Sequence, residues 1–150
     1  MFKKLLVPLD RSELAEKALP YAVSLAEKYQ AELILLVIVQ KIPPYILSSE
    51  IGMHTYSLID KDIEREVELA QAYLNELATR YSDADLTIRT MTLKEQLVAE
   101  GIVDVAKNED VDVIIKTTHG RSGPSRWVFG NVATKVLQQA PCPVFLVRVS

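Results

Sequence analysis

The chain has 150 residues, of which 49% are hydrophobic and 25% charged, and its formal net charge is -3. One folded domain over residues 1–150 is expected, stable without disulfides or a structural metal, and the single cysteine indicates a reducing compartment and hence a cytoplasmic location. The slight acidity disfavours nucleic acid as a partner, and no uncharged apolar stretch approaches the roughly 20 residues that a membrane span requires.

The chain begins with a predicted strand and helix. The apolar run Leu5–Leu9 predicts the strand, and apolar residues recur at helical spacing over Ser12–Tyr29. Asp10 and Ser12 both offer side-chain oxygens that can cap this helix. We expect a kink at Pro20, because proline lacks the backbone N–H that an unbroken helix needs.

The next three segments are a strand, a loop and a helix. Glu32–Val39 is apolar at nearly every position, which is typical of a strand covered on both faces in a parallel sheet. Gln40–Ser57 contains two adjacent prolines and a glycine and predicts a long loop. Its role stays open between a lid, a partner contact and disorder. Ile59–Tyr81 has apolar residues at steps of three and four and predicts an amphipathic helix.

The second half alternates strands with helices. Leu86–Leu93 predicts a more exposed strand, and Leu97–Ala106 predicts a helix. Val111–Thr117 and Val144–Val149 predict two further strands, with a helix over Val128–Ala140 between them. The order is therefore β-α-β-loop-α-β-α-β-α-β. It predicts an α/β fold with an open, doubly wound, five-stranded parallel sheet and helices on both faces.

Sheets of this Rossmann-like kind bind ligands beyond the carboxyl ends of their strands, where the strand order reverses. That rule indicates the turn after the first strand, Pro8–Ser12, and the segment after the fourth, Thr117–Asn131. In the second segment, Gly120 and Gly130 allow backbone to approach phosphates, and the following helix N-terminus favours an anion. The alternative is that this Gly- and Ser-containing segment is only a turn.

Four segments resemble the universal stress protein family. They are Leu5–Glu13 (Leu-Leu-Val-Pro-Leu-Asp-Arg-Ser-Glu), Leu35–Val39, Thr118–Gly123 (Thr-His-Gly-Arg-Ser-Gly) and Ala140–Val144 (Ala-Pro-Cys-Pro-Val). The resemblance covers nearly the whole chain in order. It implies the strand order 3-2-1-4-5, a homodimer through the final strand Val144–Val149 and, in one branch of the family, an ATP site.

The ATP-binding branch has the pattern Gly, two residues, Gly, nine residues, Gly, then Ser or Thr. Aligned to this chain, the pattern falls on Thr117, Gly120, Gly130 and Asn131, so its first and last positions depart from the family. With the family's other contacts carried over, and with His119 and Arg121 added from the loop, the candidate nucleotide-binding residues are Pro8, Leu9, Asp10, Ile38, Val39, Thr117, His119, Gly120, Arg121, Gly130, Asn131 and Val132.

Both departures have physical consequences. Thr117 places a β-branched side chain where the family leaves space for the ribose, which either abolishes binding or shifts the sugar. Asn131 is milder, since its amide can still donate to a phosphate oxygen. Asp10 has the alternative role of a helix cap, and His119 that of holding the loop by hydrogen bonds.

Three functions follow as hypotheses. The first is a nucleotide-binding homodimer in stress response or signalling that holds ATP, AMP or ADP, with Mg²⁺ or Mn²⁺ accompanying the triphosphate. The second is a nucleotide-free dimeric interaction protein of the same fold. The third is an ATPase, expected to be slow because no residue stands out as a general base, so no catalytic residue and no protein-held metal site are assigned.

Overall fold

The computed structural model of the protein describes residues 1–41, 53–82, 85–120 and 129–149, with only the backbone for residues 53–57. In this part of the chain the strands are β1 (Lys4–Leu9), β2 (Glu32–Gln40), β3 (Thr87–Glu95), β4 (Val113–Thr117) and β5 (Val144–Val147). The helices are α1 (Glu13–Glu16), α2 (Leu19–Tyr29), α3 (Met53–Arg80), α4 (Val98–Asn108) and α5 (Asn131–Gln139).

The strands form one five-stranded sheet in the order β3-β2-β1-β4-β5, and every neighbouring pair is parallel. This confirms the predicted α/β class and strand order. The central strand β1 lies between β2 and β4, with Leu6 opposite Ile34 on one side and Ile114 on the other. The direction of the crossovers reverses at β1, so its carboxyl end is where a ligand is expected.

Two apolar clusters cover the two faces of the sheet, because successive side chains of a strand point to opposite faces. Leu5 and Val7 of β1 pack with residues of α1, α2 and α3. Leu6 lies in the other cluster, together with residues of α4 and α5. Both faces of the central strands are therefore buried, which explains their nearly continuous apolar sequences.

The first predicted helix is two helices, and the expected kink at Pro20 is wrong. The break lies at Lys17 and Ala18, between α1 and α2. Pro20 stands in the first turn of α2, where its missing N–H would have no intrahelical acceptor in any case. The cap of α1 is Ser12, whose hydroxyl accepts a hydrogen bond from the amide of Ala15 at 3.1 Å.

Several predicted boundaries move. β2 continues through Gln40, and α3 begins at Met53, so both ends of the predicted Gln40–Ser57 loop belong to regular elements. The middle of that segment, residues 42–52, lies outside the described residues. α5 begins at Asn131, and Phe129 precedes it and is exposed, so the predicted start at Val128 is too early.

The amino-terminal ends of β1 and β4 are tied together by one carboxylate. Asp112 accepts hydrogen bonds from the backbone amides of Lys3 at 2.7 Å and Lys4 at 2.9 Å. These two N–H donors hold the pKa of Asp112 below its usual range. Across the described helices, none combines the length and apolar character that crossing a membrane requires.

Candidate functional site

A cavity of about 530 Å³ opens at the carboxyl ends of β1, β2 and β4, next to the N-terminus of α5. This is the position expected from the strand order. The predicted site residues that line the cavity are Pro8, Leu9, Asp10, Ile38, Val39, His119, Gly120, Gly130, Asn131 and Val132. Thr117 is not among its lining residues, and Arg121 lies outside the described part of the chain.

The turn after β1 is built around Asp10. Its carboxylate accepts hydrogen bonds from the backbone amide of Ser12, at 3.0 Å, and from the Ser12 hydroxyl. Ser12 in turn caps α1, so Asp10 supports the cap and does not itself cap the helix. The chain turns at Arg11 with a φ of 67°, and the Arg11 guanidinium forms an ion pair with Glu66 of α3 at the cavity wall.

The turn after β4 contacts the turn after β1 so closely that Gly120 has no room for a side chain. A Cβ atom at this position would lie 2.3 Å from Oδ2 of Asp10. At Gly130 a Cβ would meet its nearest atom, the carbonyl oxygen of Thr118, at 3.4 Å. The absence of a side chain at Gly120 is therefore a requirement of the contact with Asp10, whereas Gly130 is less constrained.

Thr117 has a structural role that its alignment with the family pattern does not indicate. Its side chain is buried, and Oγ1 donates a hydrogen bond to the backbone carbonyl of His119 at 2.6 Å. Its φ is not positive, so the β-branched side chain causes no backbone strain. Thr117 therefore braces the turn from outside the cavity lining, contrary to the expectation that it fills the space of the ribose.

His119 contacts its own turn and also reaches the cavity wall, and a phosphate contact stays a prediction. It is buried, and its Nδ1 lies 3.2 Å from the Thr118 hydroxyl. It also lines the cavity. A nearby backbone contact joins the same turn to α5, since the amide of Gly130 donates to the carbonyl of Thr118 at 3.0 Å.

The N-terminus of α5 faces the cavity through Asn131, Val132 and Ala133. The first intrahelical hydrogen bond runs from the amide of Thr134 to the carbonyl of Gly130 at 3.0 Å. The three preceding amides have no acceptor within the helix, and Gly130 supplies no side-chain cap. These amides and the helix dipole favour a negatively charged group at this end of the cavity.

The site residue that sequence reasoning missed is Lys116. It lines the cavity although it lies in β4, whose other residues include Val113, Ile114 and Ile115, and only 8% of its surface is exposed. Burial lowers its pKa, and the negative charge of Asp10 opposes that shift. The available signal was a lysine directly after three apolar residues in a buried strand.

Comparison with known proteins identifies the family. The sequence model of the universal stress protein family matches residues 1–148. The chain belongs to the universal stress protein family. Among its relatives, universal stress protein Sll1654 of Synechocystis sp. is 31% identical over 147 residues, which cover 98% of this chain and 86% of the relative.

Solved structures of the family share the fold. Universal stress protein UspA from Lactobacillus plantarum superposes with a TM-score of 0.84 at 23% identity, and the match covers 98% of each chain. A universal stress protein solved in complex with cAMP superposes with a TM-score of 0.69 at 17% identity, over 99% of this chain and 98% of the other.

Proposed function

We propose that this universal stress protein is a cytoplasmic, homodimeric module of stress response or signalling that binds an adenine nucleotide, ATP, AMP or ADP. One observation carries the proposal. Pro8–Asp10 lies far along the chain from His119, Gly120 and Gly130–Val132, yet both groups line one cavity beside a helix N-terminus without a side-chain cap. Those segments are the ones whose motifs resemble the nucleotide-binding branch of the family.

The β2 side of the cavity suits a purine base. The pairing of β1 with β2 ends at Leu9 and Val37, whereas β2 continues to Gln40 beside β3. Past Val37, the edge of β2 that faces β1 therefore has no strand partner among the described residues. Consecutive residues of a strand direct their N–H and C=O groups to opposite edges. One of the two residues Ile38 and Val39 therefore offers both of its backbone groups to the base.

The other parts of the nucleotide have matching surroundings. Asp10 follows β1, which lies between β2 and β4 in the sheet, and is the candidate partner of the ribose hydroxyls. The amides at the start of α5, with Gly120 and Gly130, are the candidate partners of the phosphates. In the described part of the chain no cluster of three or more His, Cys, Asp or Glu could hold a metal, so an accompanying Mg²⁺ or Mn²⁺ would bind mainly to phosphate oxygens and water.

One comparison and one feature of the cavity add support. The fold of the protein in complex with cAMP matches this chain, which indicates that the architecture can accommodate an adenine nucleotide. The nucleotide-free alternative depended on a clash between Thr117 and the ribose, and the Thr117 side chain does not line the cavity. Nucleotide binding is therefore the better supported function.

The proposed dimer uses the segment predicted as the final strand, Val144–Val149, of which β5 covers Val144–Val147. β5 is the last strand in the sheet order, so one of its edges has no strand neighbour among the described residues. The exposed ring of Phe145 lies on this strand, 5.8 Å between ring centroids from the exposed ring of Tyr21. An unpaired apolar edge favours pairing with a second copy.

The test is calorimetric titration of the whole protein with ATP, AMP and cAMP in the presence of Mg²⁺. We expect micromolar or tighter binding of at least one nucleotide, lost in Asp10→Ala and kept in Asp104→Ala, which removes an exposed carboxylate from α4. Thermal unfolding of both variants shows whether they are folded. Absence of binding by the folded wild-type protein to all three nucleotides would overturn the proposal.

A further inference from the structure

The cavity is lined by a lysine that forms no ion pair with any described residue. Lys116 is more than nine-tenths buried and lines the cavity. Within the described part of the chain it has no hydrogen bond or ion pair, and the carboxylate of Asp10 acts on it only through space. A buried ammonium group without a partner is costly, because it has lost its hydration.

Strand geometry places this ammonium on the same face of the sheet as α5. Ile114 belongs to the apolar cluster that includes Ile102 of α4 and Val136 of α5. Lys116 lies two residues further along the strand, so its side chain leaves the sheet on that face as well. Asn131 and Val132, at the start of α5, line the same cavity. The ammonium and the helix N-terminus therefore favour an anion in the same region.

The other charged side chains of the described cavity wall already have partners. Arg11 and Glu66 neutralise each other in an ion pair. Asp10 accepts two hydrogen bonds from Ser12. An anionic ligand would supply the hydrogen bonds that Lys116 does not obtain from these residues, and a charge-assisted hydrogen bond is about twice as strong as a neutral one.

We propose that Lys116 binds the phosphate attached directly to the ribose, so that the cavity selects 5′-phosphorylated adenosine by its first phosphate and not by its terminal ones. This inference rests on the proposed function, in which Asp10 contacts the ribose. In the parallel pair of β1 and β4, Leu6 lies opposite Ile114, so two residues further along Lys116 lies beside Pro8, close to Asp10 and hence to the sugar. The first phosphate is the one nearest the sugar, whereas terminal phosphates lie further from it.

The test compares adenosine, AMP and ATP by calorimetric titration of three proteins: wild type, Lys116→Met and Lys107→Met. Methionine keeps the length and apolar stem of lysine without its charge. Lys107 is an exposed lysine near the end of α4, so its replacement makes the same change in net charge away from the cavity.

In the wild type we expect AMP to bind about tenfold to a hundredfold more tightly than adenosine. Lys116→Met should remove most of this preference and weaken AMP and ATP by about the same factor. Its affinity for adenosine should stay within about threefold of the wild-type value, and Lys107→Met should resemble the wild type.

Three outcomes would overturn the inference while leaving nucleotide binding intact. They are an unchanged preference for AMP over adenosine in Lys116→Met, an equal loss of adenosine and AMP binding, and a much larger loss for ATP than for AMP. Failure of the wild type to bind any of the three ligands would instead overturn the proposed function, and this inference with it.

Discussion

Replacing Gly120 by alanine tests whether the two turns at the cavity are held in direct contact. The new Cβ would lie 2.3 Å from Oδ2 and 3.2 Å from Cγ of Asp10, which is too close for either atom. Asp10 cannot swing away freely, because its carboxylate is held by two hydrogen bonds from Ser12. Either the turn after β4 must move or the support of the α1 cap must break.

Movement of the turn and loss of the hydrogen bonds between Asp10 and Ser12 each have a known range of free-energy cost. Overpacking a close contact costs about 1–3 kcal/mol, and losing hydrogen bonds to a charged group costs a similar amount. We therefore expect Gly120→Ala to lower the free energy of unfolding by about 1–3 kcal/mol, measured by urea denaturation. Because Gly120 and Asp10 both line the cavity, nucleotide affinity should fall as well.

A double-mutant cycle separates the clash from a backbone effect. In an Asp10→Ala background the carboxylate is absent, so adding Gly120→Ala should cost much less than it does in the wild type. Gly130→Ala is a matched control, because its new Cβ would come no closer than 3.4 Å to its nearest neighbour. An equal cost of Gly120→Ala in both backgrounds would refute this reasoning.

Three further predictions follow from other parts of the structure. Thr117→Gly removes the hydrogen bond to the carbonyl of His119 and makes the backbone of β4 more flexible, so the free energy of unfolding from urea denaturation should fall by about 1–2 kcal/mol. A gain in nucleotide affinity by calorimetry would contradict the placement of Thr117 outside the cavity. Asp112→Ala should lower the free energy of unfolding by about 1.5–3 kcal/mol. Since folding lowers the pKa of Asp112 below 3.8, this contribution is present above that pH and is lost as the pH falls through the lower folded value, so wild type and variant should converge in acid. Leu146→Pro should yield a monomer by light scattering with its circular dichroism retained. The carbonyls of Pro143 and Val147 accept hydrogen bonds from the β4 side, and backbone groups alternate in direction along a strand, so those of Leu146 face the open edge, where proline is tolerated. A dimer that persists would contradict pairing through β5.

Much of the architecture follows from local patterns in the sequence. Continuous apolar runs such as Glu32–Val39 predicted buried parallel strands, and the three- and four-residue spacing after Ile59 predicted α3. The boundaries were less predictable. A proline within a helical apolar pattern looks the same in the sequence whether it kinks a helix or lies in its first turn. Only the path of the chain at Lys17 and Ala18 shows that Pro20 lies in the first turn of α2.

The candidate site was also predictable from the sequence only in part. By itself the sequence determined which two turns lie at the cavity, because the carboxyl ends of neighbouring parallel strands meet at one edge of the sheet. Only the tertiary structure decided which side chains of β4 take part. Motif alignment selected Thr117, but side chains alternate along a strand, and the orientation of β4 against α5 turns Lys116 into the cavity and Thr117 towards the backbone of the turn. A one-residue difference along a strand exchanges the two faces of the sheet, and that choice depends on packing between distant segments.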